Sequence, residues 1–355
     1  MAGSGTAHLR PSEEPLLSVR NLVVEFDAPH GRKVHAVSGI SFDVKAGETL
    51  GIVGESGCGK TTSGRAVMQI HQATSGSIVF DGAELTELDG EELRRTRPQL
   101  QMIFQDPISS LNPRRKVRDI VREGLSIWGH RTGEFSESRV DEILEAVGLD
   151  AATVGDRRPH EFSGGQCQRI CIARALVLDP KLIVCDEPVS ALDVSVQAQI
   201  LNLLEETKRR FGLTLVFIAH DLAVVKSISD RVLVMYLGKA CEAGSADSIY
   251  ASPRHPYTNA LLTSIPQPDP AVPVVPGGLT GELPSALDPP SGCRFRTRCP
   301  RATDLCAETE PTMASVDDDH FVACHHPFEP DEVQVTWLPR AQSSEGPTTS
   351  SAATE

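Results

Sequence analysis

The stretch that most constrains this chain runs from Gly54 to Thr61 and reads GESGCGKT, which fits the phosphate-loop pattern G-x-x-x-x-G-K-[ST]. A short apolar run, 49–53, precedes it, and residues 62–68 read as the start of a helix. Glycines let the backbone curl so that successive N–H groups point at phosphate oxygens, and the helix N-terminus adds its positive dipole end. The sequence therefore predicts a nucleotide phosphate site in a strand–loop–helix unit.

The predicted nucleotide site has two residues with defined chemical roles. Lys60 can reach the β- and γ-phosphates, and the Thr61 hydroxyl can ligate Mg²⁺. An ordinary glycine turn is the competing explanation, and the Lys-Thr pair with its correct flanks weighs against it. The remaining predicted ATP contacts are Gly54, Glu55, Ser56, Gly57, Cys58, Gly59 and Thr62.

Composition limits the partners of the chain. Its 355 residues are 40% hydrophobic, an ordinary globular mixture for one large domain plus an appendage. The net charge of −14 argues against a nucleic-acid partner. No apolar run approaches the roughly 18–20 residues of a membrane span, and residues 1–14 lack the apolar core of a secretory signal. We expect a cytosolic protein that can dock on a membrane partner.

Strand-like and helix-like runs alternate along most of the chain. This alternation, with a phosphate loop near its start, predicts an α/β fold with a mainly parallel sheet. Helical periodicity dominates a middle insertion, and Pro and Gly are frequent over residues 266–290. The predicted divisions are a disordered N-terminus over 1–14, a nucleotide-binding domain over 15–250 with its helical part at about 106–178, a C-terminal extension over 251–338 and a disordered tail over 339–355.

Two acidic residues follow the apolar run 182–185. Asp186 is placed to hold the Mg²⁺ shell, and Glu187 to polarise the attacking water. Two acids at a strand end can also be a solvated turn. Their distance from the phosphate loop favours the catalytic interpretation.

A second anion-binding helix end is predicted at residues 162–166, FSGGQ. Ser163 is a good N-cap, and Gly164 and Gly165 expose the first N–H groups of the helix. A plain capped helix explains these residues if they are taken alone. Because one ATP hardly needs two such ends, the second is expected to serve ATP bound to another subunit.

Together these residues resemble the nucleotide-binding subunit of an ABC transporter, over about residues 16–250. The resemblance implies a phosphate-loop ATPase core with an antiparallel N-terminal β subdomain and a helical subdomain. Phe26 lies where the family places an aromatic residue that stacks on adenine. The matched motifs are the Walker A loop at 54–61, the Walker B strand at 182–186, the catalytic glutamate Glu187, the signature at 162–166 with Phe162 in place of Leu, the D-loop at 190–193, the Q-loop glutamine Gln105 and the switch histidine His220.

The resemblance implies a head-to-tail dimer that holds two ATP between its subunits. The catalytic residues would be Glu187, His220 and Gln105, and the Mg²⁺ shell would involve Thr61, Gln105 and Asp186. His220 could instead be a core histidine, but its place after a predicted strand favours contact with the γ-phosphate. The residues offered to the ATP of the other subunit would be Ser163, Gly164, Gly165, Gln166 and Asp193.

Two further segments resemble the oligopeptide/dipeptide importer branch of the family: 106–114, DPISSLNPR, and 255–258, HPYT. This resemblance covers roughly residues 16–327. It implies an ATPase subunit at the cytoplasmic face of the membrane, with two permease chains, a second and often different ATPase chain, and an extracytoplasmic substrate-binding protein. Importers of nickel or another solute, and a non-transport ABC ATPase, remain as alternatives.

Four of the nine cysteines crowd into one Pro-flanked segment with the spacing C-x5-C-x6-C-x17-C. The C-x2-C pairs usual in structural zinc sites are missing, and all-sulfur ligands in wider loops suit an iron–sulfur cluster. Members of the importer branch that resemble this segment carry a [4Fe–4S] cluster there. Zinc, with His320, His325 or His326 as further ligands, and unliganded thiols are the alternatives. The cysteines are Cys293, Cys299, Cys306 and Cys324.

Overall fold

The computed structural model describes residues 5–10, 14–132, 137–265, 279 and 281–333. The strands in these ranges are β1 (Leu17–Ala28), β2 (Arg32–Val44), β3 (Thr49–Val53), β4 (Ser75–Phe80), β5 (Ala83–Glu84), β6 (Leu100–Ile103), β7 (Leu182–Asp186), β8 (Thr214–Ala219), β9 (Arg231–Tyr236), β10 (Lys239–Ser245), β11 (Ala314–Asp317) and β12 (His320–Val322). The α-helices are α1 (Lys60–Val67), α2 (Gly90–Thr96), α3 (Val117–Thr132), α4 (Glu137–Ala146), α5 (Ala151–Val154), α6 (Gly164–Leu176), α7 (Val194–Phe211), α8 (Leu222–Ile228), α9 (Ala246–Ala251), α10 (Pro256–Thr263) and α11 (Asp304–Glu308). None of these helices has the length and apolar character needed to cross a bilayer.

A small antiparallel sheet with the order β2-β1-β4-β5 forms the N-terminal part of the molecule. Apolar side chains alternate along β1 and turn inward, so that Val19 lies opposite Phe42 on β2 and Ile78 on β4. This confirms the antiparallel β subdomain that the family resemblance implied.

A larger sheet runs in the order β11-β12-β10-β9-β3-β8-β7-β6. Its strands are parallel from β9 to β6 and antiparallel from β9 to β11. All five residues of β7 are buried, because helices cover both faces of a parallel sheet and leave no solvated side. The mainly parallel α/β sheet is confirmed, with an antiparallel edge that the sequence did not predict.

Helices α3 to α6 lie within the predicted insertion, 106–178. The three-and-four spacing of Val140, Ile143, Leu144 and Val147 predicted a buried helix face, and all four side chains are fully buried. They belong to the same apolar core as the parallel strands, so the helical part packs directly against the ATPase core.

The hairpin of β11 and β12 extends the large sheet, because β12 pairs with β10 and places Val322 opposite Glu242. The C-terminal extension therefore shares a sheet with the nucleotide-binding domain. A single short turn at 318–319 separates these two brief strands, and their sequence shows no strong period that would have revealed them.

Residues 5–10 were expected to be disordered but pack against the small sheet. The buried His8 ring contacts the carbonyl oxygen of Ser41, with Nε2 at 2.6 Å, and Arg10 pairs with Asp43 at 2.7 Å. A buried ring and a paired guanidinium hold this segment, although its composition resembles that of a free end. Residues 1–4 and 11–13, most of the Pro- and Gly-rich stretch 266–290, and the predicted tail, 339–355, lie outside the described residues.

Candidate active site

Parallel strands bring the predicted site residues to one edge of the large sheet. The phosphate loop follows β3, Asp186 ends β7 and His220 follows β8. Gln105 comes two residues after β6. Ligand sites of open α/β sheets lie at this carboxyl edge, so strand order alone gathers residues that are far apart in the chain.

The phosphate loop needs glycine at two points of close packing. Gly54 has φ 152° and Gly59 has φ 104°, a region that L side chains rarely adopt. A Cβ atom on Gly54 would collide with the carbonyl oxygen of Met235, and one on Gly59 with that of Ala36. The curled loop is thus held between β9 and β2.

Lys60 is buried beneath the loop that it follows. Its Nζ donates to the carbonyl oxygens of Gly54, at 2.7 Å, and Glu55, at 3.0 Å. The Cys58 side chain is fully buried, and burial raises the pKa of its thiol, so this residue offers only its backbone to a ligand. The other predicted contacts are the exposed Ser56 and Gly57 and the half-buried Thr62.

Thr61 and Asp186 form a donor set that suits a hard cation. The Thr61 hydroxyl donates to Oδ1 of Asp186 at 2.7 Å. The carboxylate is 1% exposed, and its Oδ2 has no hydrogen-bond partner in the described structure. Burial raises the pKa of Asp186, against the lowering effect of the Thr61 hydroxyl. An unsatisfied buried carboxylate oxygen beside a hydroxyl fits Mg²⁺, which prefers oxygen ligands.

Glu187 joins three strand ends through its side chain. Its Oε2 accepts a hydrogen bond from Nε2 of Gln105 at 3.0 Å and lies 3.1 Å from Nδ1 of His220. Its backbone has φ 48°, and its N–H donates to the carbonyl oxygen of Ile218 on β8 at 2.9 Å. The His220 side chain is 53% exposed, which is not the environment of a core histidine. Three predicted catalytic residues are therefore in direct contact.

The signature residues begin helix α6, with Ser163 as N-cap. Ser163 and Gln166 form a capping box in which N–H of Ser163 donates to Oε1 of Gln166 at 3.0 Å. A Cβ atom on Gly165 would meet Val196 of α7 at 2.5 Å, and one on Gly164 would contact Leu192 at 3.4 Å. No hydrogen bond among the described residues joins this helix end to the phosphate loop, so it forms a separate surface.

No hydrogen bond or ring contact among the described residues joins the D-loop or Phe26 to the phosphate loop. The Gln197 side chain holds the D-loop by donating to the carbonyl oxygens of Val189, at 3.1 Å, and Leu192, at 3.0 Å, and Asp193 is the N-cap residue before α7. Phe26 is exposed at the end of the small sheet, with its ring edge-on to His71 at 5.2 Å. The side chains of Asp193 and Phe26 are both exposed to solvent.

The four clustered cysteines share one neighbourhood. Burial raises the pKa of Cys324 to about 12, and the charges of the other three thiols add to this shift. None of the nine cysteines is in a disulfide, and the N–H of His326 donates to Sγ of Cys324 at 3.3 Å. Within the described ranges, however, no three His, Cys, Asp or Glu side chains have the geometry of a preformed metal site.

The histidines of the zinc alternative make other contacts. His320 is buried against the Glu242 carboxylate, with Nε2 2.6 Å from Oε1. His325 contacts the carbonyl oxygen of Thr309, and His326 contacts the Thr303 hydroxyl, at 2.9 Å and 2.8 Å. Each of the three rings therefore contacts an oxygen atom outside the cysteine cluster.

Two contacts to the phosphate loop were not foreseen from the sequence. The hydroxyl of Tyr257 accepts a hydrogen bond from the N–H of Glu55 at 2.8 Å. The Arg298 guanidinium donates to both carboxylate oxygens of Glu55, at 2.6 Å and 3.1 Å. These residues lie 202 and 243 positions from Glu55, and no local pattern could have connected them.

Comparison with known proteins agrees with this geometry. The family model described as ABC transporter matches residues 37–190, and the one described as oligopeptide/dipeptide transporter, C-terminal region, matches residues 241–306. The oligopeptide transport ATP-binding protein OppF of Haemophilus influenzae is 49% identical over 324 residues, covering 88% of this chain and 97% of the relative. OppF of Salmonella typhimurium is 50% identical over 320 residues, covering 87% and 95%.

Solved structures support the same assignment. A dimeric ATP-binding cassette in a post-hydrolysis state, with ADP and Pi bound, is 26% identical and has a TM-score of 0.59, covering 65% of this chain and 98% of the other. The similarity in sequence, the fold and the converging ATP motifs thus agree. The chain belongs to the ABC transporter family as an ABC ATPase, and its C-terminal region is that of the oligopeptide/dipeptide branch.

Proposed function

We propose that this chain binds and hydrolyses ATP to power a binding-protein-dependent ABC importer of oligopeptides or dipeptides. The observation that carries the proposal is the convergence of the phosphate loop, Asp186, Glu187 and His220 at one sheet edge. The OppF relatives, which are oligopeptide transport ATP-binding proteins, support the choice of cargo.

The chain's own residues can bind and orient the triphosphate. The loop N–H groups and Lys60 would hold the phosphates, and Thr61, Asp186 and Gln105 would ligate Mg²⁺. When bound, Mg²⁺ neutralises charge on the phosphate oxygens. Glu187, which contacts Gln105 and His220, would orient the attacking water and accept its proton.

A second subunit would complete each ATP site. Ser163 is exposed at the start of α6, and the helix end bears N–H groups suited to the γ-phosphate of an ATP held by the other subunit. Asp193 of the D-loop would reach the same interface. Closure then depends on ATP, because the bridging phosphate charge is lost after hydrolysis. The related cassette solved as a dimer supports this arrangement.

Permease chains would contact the groove between the end of β6 and the helical part. Ile70, Phe104 and Trp128 line this groove, and 47% of Ile70 is exposed to solvent. The family resemblance places the permease coupling helices in this region. The proposed complex therefore contains two permease chains, a second ATPase chain and an extracytoplasmic binding protein, with this subunit at the cytoplasmic face of the membrane.

We also assign a [4Fe–4S] cluster to Cys293, Cys299, Cys306 and Cys324, with zinc as the alternative metal. Their shared neighbourhood and free thiols support the assignment. The cluster would join segments of the extension whose described buried apolar residues, such as Phe295 and Met313, belong to the cores of the cassette. Purification without air should give a brown protein with acid-labile sulfide; a colourless protein that holds zinc would contradict the assignment.

Purification from membranes tests the transport proposal. We expect permease chains to accompany the subunit, and ATP hydrolysis in vesicles to rise with peptide-loaded binding protein. The Lys60→Ala variant, which lacks the phosphate-binding ammonium, is the matched control and should not respond. Stimulation by nickel and not by peptides would contradict the cargo, and full activity without any membrane chain would favour a non-transport ATPase.

A further inference from the structure

We propose that Arg298, supplied by the cysteine segment, is a positioning residue for ATP binding that neutralises the Glu55 carboxylate within the phosphate loop. The proposal rests on the proposed ATPase function. It makes the C-terminal extension part of the nucleotide site, since ATP affinity would depend on a side chain next to Cys299.

The Arg298 contact has the geometry of a strong, fixed ion pair. Both carboxylate oxygens of Glu55 accept hydrogen bonds, at 2.6 Å and 3.1 Å, in the bidentate arrangement that gives both energy and direction. The Arg298 side chain is only 5% exposed and that of Glu55 is 26% exposed. Solvent therefore screens this pair less than a surface salt bridge.

Packed aromatic rings hold the guanidinium in place. Arg298 lies 5.8 Å above the ring of Tyr236 and donates to its hydroxyl at 3.4 Å. The rings of Tyr236, Tyr257 and Phe295 pack together with centroids 4.8 to 5.3 Å apart. Phe295 comes two residues after Cys293, so the cysteine segment supplies both the charge and part of its support.

A carboxylate in an anion-binding loop repels the negative charge of its ligand and so weakens binding. Glu55 directly follows Gly54, and its carbonyl oxygen already accepts a hydrogen bond from the Lys60 ammonium. The triphosphate adds several negative charges to the same loop, and unbalanced like charge at short range weakens binding. Arg298 removes this repulsion without occupying the loop. The Tyr257 hydroxyl fixes the backbone N–H of Glu55 from the same side.

Nucleotide titration of the purified full-length chain tests the proposal. We expect Arg298→Met to raise the Kd for ATP about tenfold, with a smaller increase for Arg298→Lys, which keeps the charge. The KM for ATP should rise while kcat of the assembled complex changes little. Arg301→Met is the matched control, because Arg301 also pairs with a glutamate, Glu332 at 2.9 Å, but away from the loop. Its Kd should equal that of the unmodified chain.

The two partners of the pair should shift ATP binding in opposite directions. Glu55→Gln leaves the Arg298 charge unopposed beside the loop and should lower the Kd about threefold, and added to Arg298→Met it should restore most of the lost affinity. The Kd of the Glu55→Gln single variant still tests the proposal if Arg298→Met alone does not fold. Equal weakening by both single variants, or no rescue in the double variant, would overturn the proposal. If Lys60→Ala binds ATP as tightly as the unmodified chain, the proposed ATPase function itself fails.

Discussion

Two buried carboxylates of this protein have opposite surroundings. Asp186, at the nucleotide edge, is 1% exposed and leaves Oδ2 without a partner in the described structure. Glu242, where the extension meets β10, is fully buried and accepts hydrogen bonds from the N–H groups of Arg254, at 2.6 Å, and His255, at 3.0 Å. It also contacts His320 of β12.

This difference is the one expected between the proposed cation site at Asp186 and a contact at Glu242 that stabilises the fold. An unsatisfied buried oxygen costs folding free energy, and the cost is recovered when a cation binds. A buried carboxylate with three partners stabilises the segments that supply them. We therefore expect substitutions at the nucleotide edge to change chemistry, and substitutions around Glu242 to change stability.

The largest effect should come from Glu187→Gln. Removing the base that orients water should lower ATP hydrolysis by roughly a thousandfold, with ATP still bound and the dimer still closed. The free energy of unfolding should change by less than about 1 kcal/mol, because the side chain is at the edge of the sheet. Phosphate release, nucleotide titration and chemical unfolding measure these quantities.

The matched control for this prediction is Glu205→Gln on the outer face of α7, whose partner is the exposed Arg209. It should hydrolyse ATP at the normal rate. Normal turnover by Glu187→Gln in the assembled complex would remove Glu187 from the catalytic role.

Glu242→Gln should give the largest loss of stability. The amide replaces one acceptor by a donor that faces other donors, so the free energy of unfolding should fall by roughly 3 kcal/mol. Urea unfolding measures the change, and ATP hydrolysis by the remaining folded protein should be near normal. Glu332→Gln, at an exposed ion pair, should cost less than about 1 kcal/mol. A small effect at Glu242 would break the contrast between the two regions.

His255 should make stability depend on pH. Burial lowers its pKa from 6.5 to about 4, and its Nδ1 accepts the N–H of Tyr257 at 3.0 Å, so the folded protein holds a neutral ring. The unfolded chain binds a proton more readily, and stability is therefore complete above pH 6.5 and falls as the pH drops toward 4. Between pH 7.5 and pH 5 the loss should be about 2 kcal/mol.

His255→Asn provides the comparison, because asparagine can cap α10 without titrating in this range. Urea unfolding at both pH values should show a smaller loss for this variant than for the unmodified chain. An equal loss in both proteins would assign the pH dependence to other groups.

The smallest effect should come from Phe26→Ala. If the exposed ring stacks on adenine, its loss should raise the Kd for ATP about fivefold, in line with the worth of one aromatic contact. Phe26→Tyr keeps the π-face and should bind within about twofold of the unmodified chain. Unchanged binding by Phe26→Ala would place the adenine elsewhere.

Much of the nucleotide site could be predicted from sequence because its chemistry lies in short contiguous motifs. The glycines, Lys60 and Thr61 of the loop determine one local backbone conformation, and a buried strand ending in Asp186 and Glu187 has few alternatives. Alternating strands and helices then predict a parallel sheet whose carboxyl edge gathers these groups. The order of the strands and the direct contacts among Gln105, Glu187 and His220 required the structure.

The extension shows the opposite case. The cluster of cysteines is visible in the sequence of the extension, but the pairing of β12 with β10 is not. That pairing, like the packing of residues 5–10 at the other end of the chain, depends on contacts between distant segments. Short strands and polar terminal segments have little sequence periodicity by which they could be predicted, because their stability comes from the residues that they pack against.

The sequence by itself determined a phosphate loop, two acids at the end of a buried strand and a second capped helix end, because the backbone geometry of each is encoded in a few adjacent residues. Only the tertiary structure decided that Arg298 and Tyr257 contact Glu55. Those contacts join residues more than 200 positions apart, and no local preference specifies them. They arise because the rings of Tyr257 and Phe295 and the Arg298 guanidinium pack against Tyr236 at the end of β9, which brings the extension to the loop.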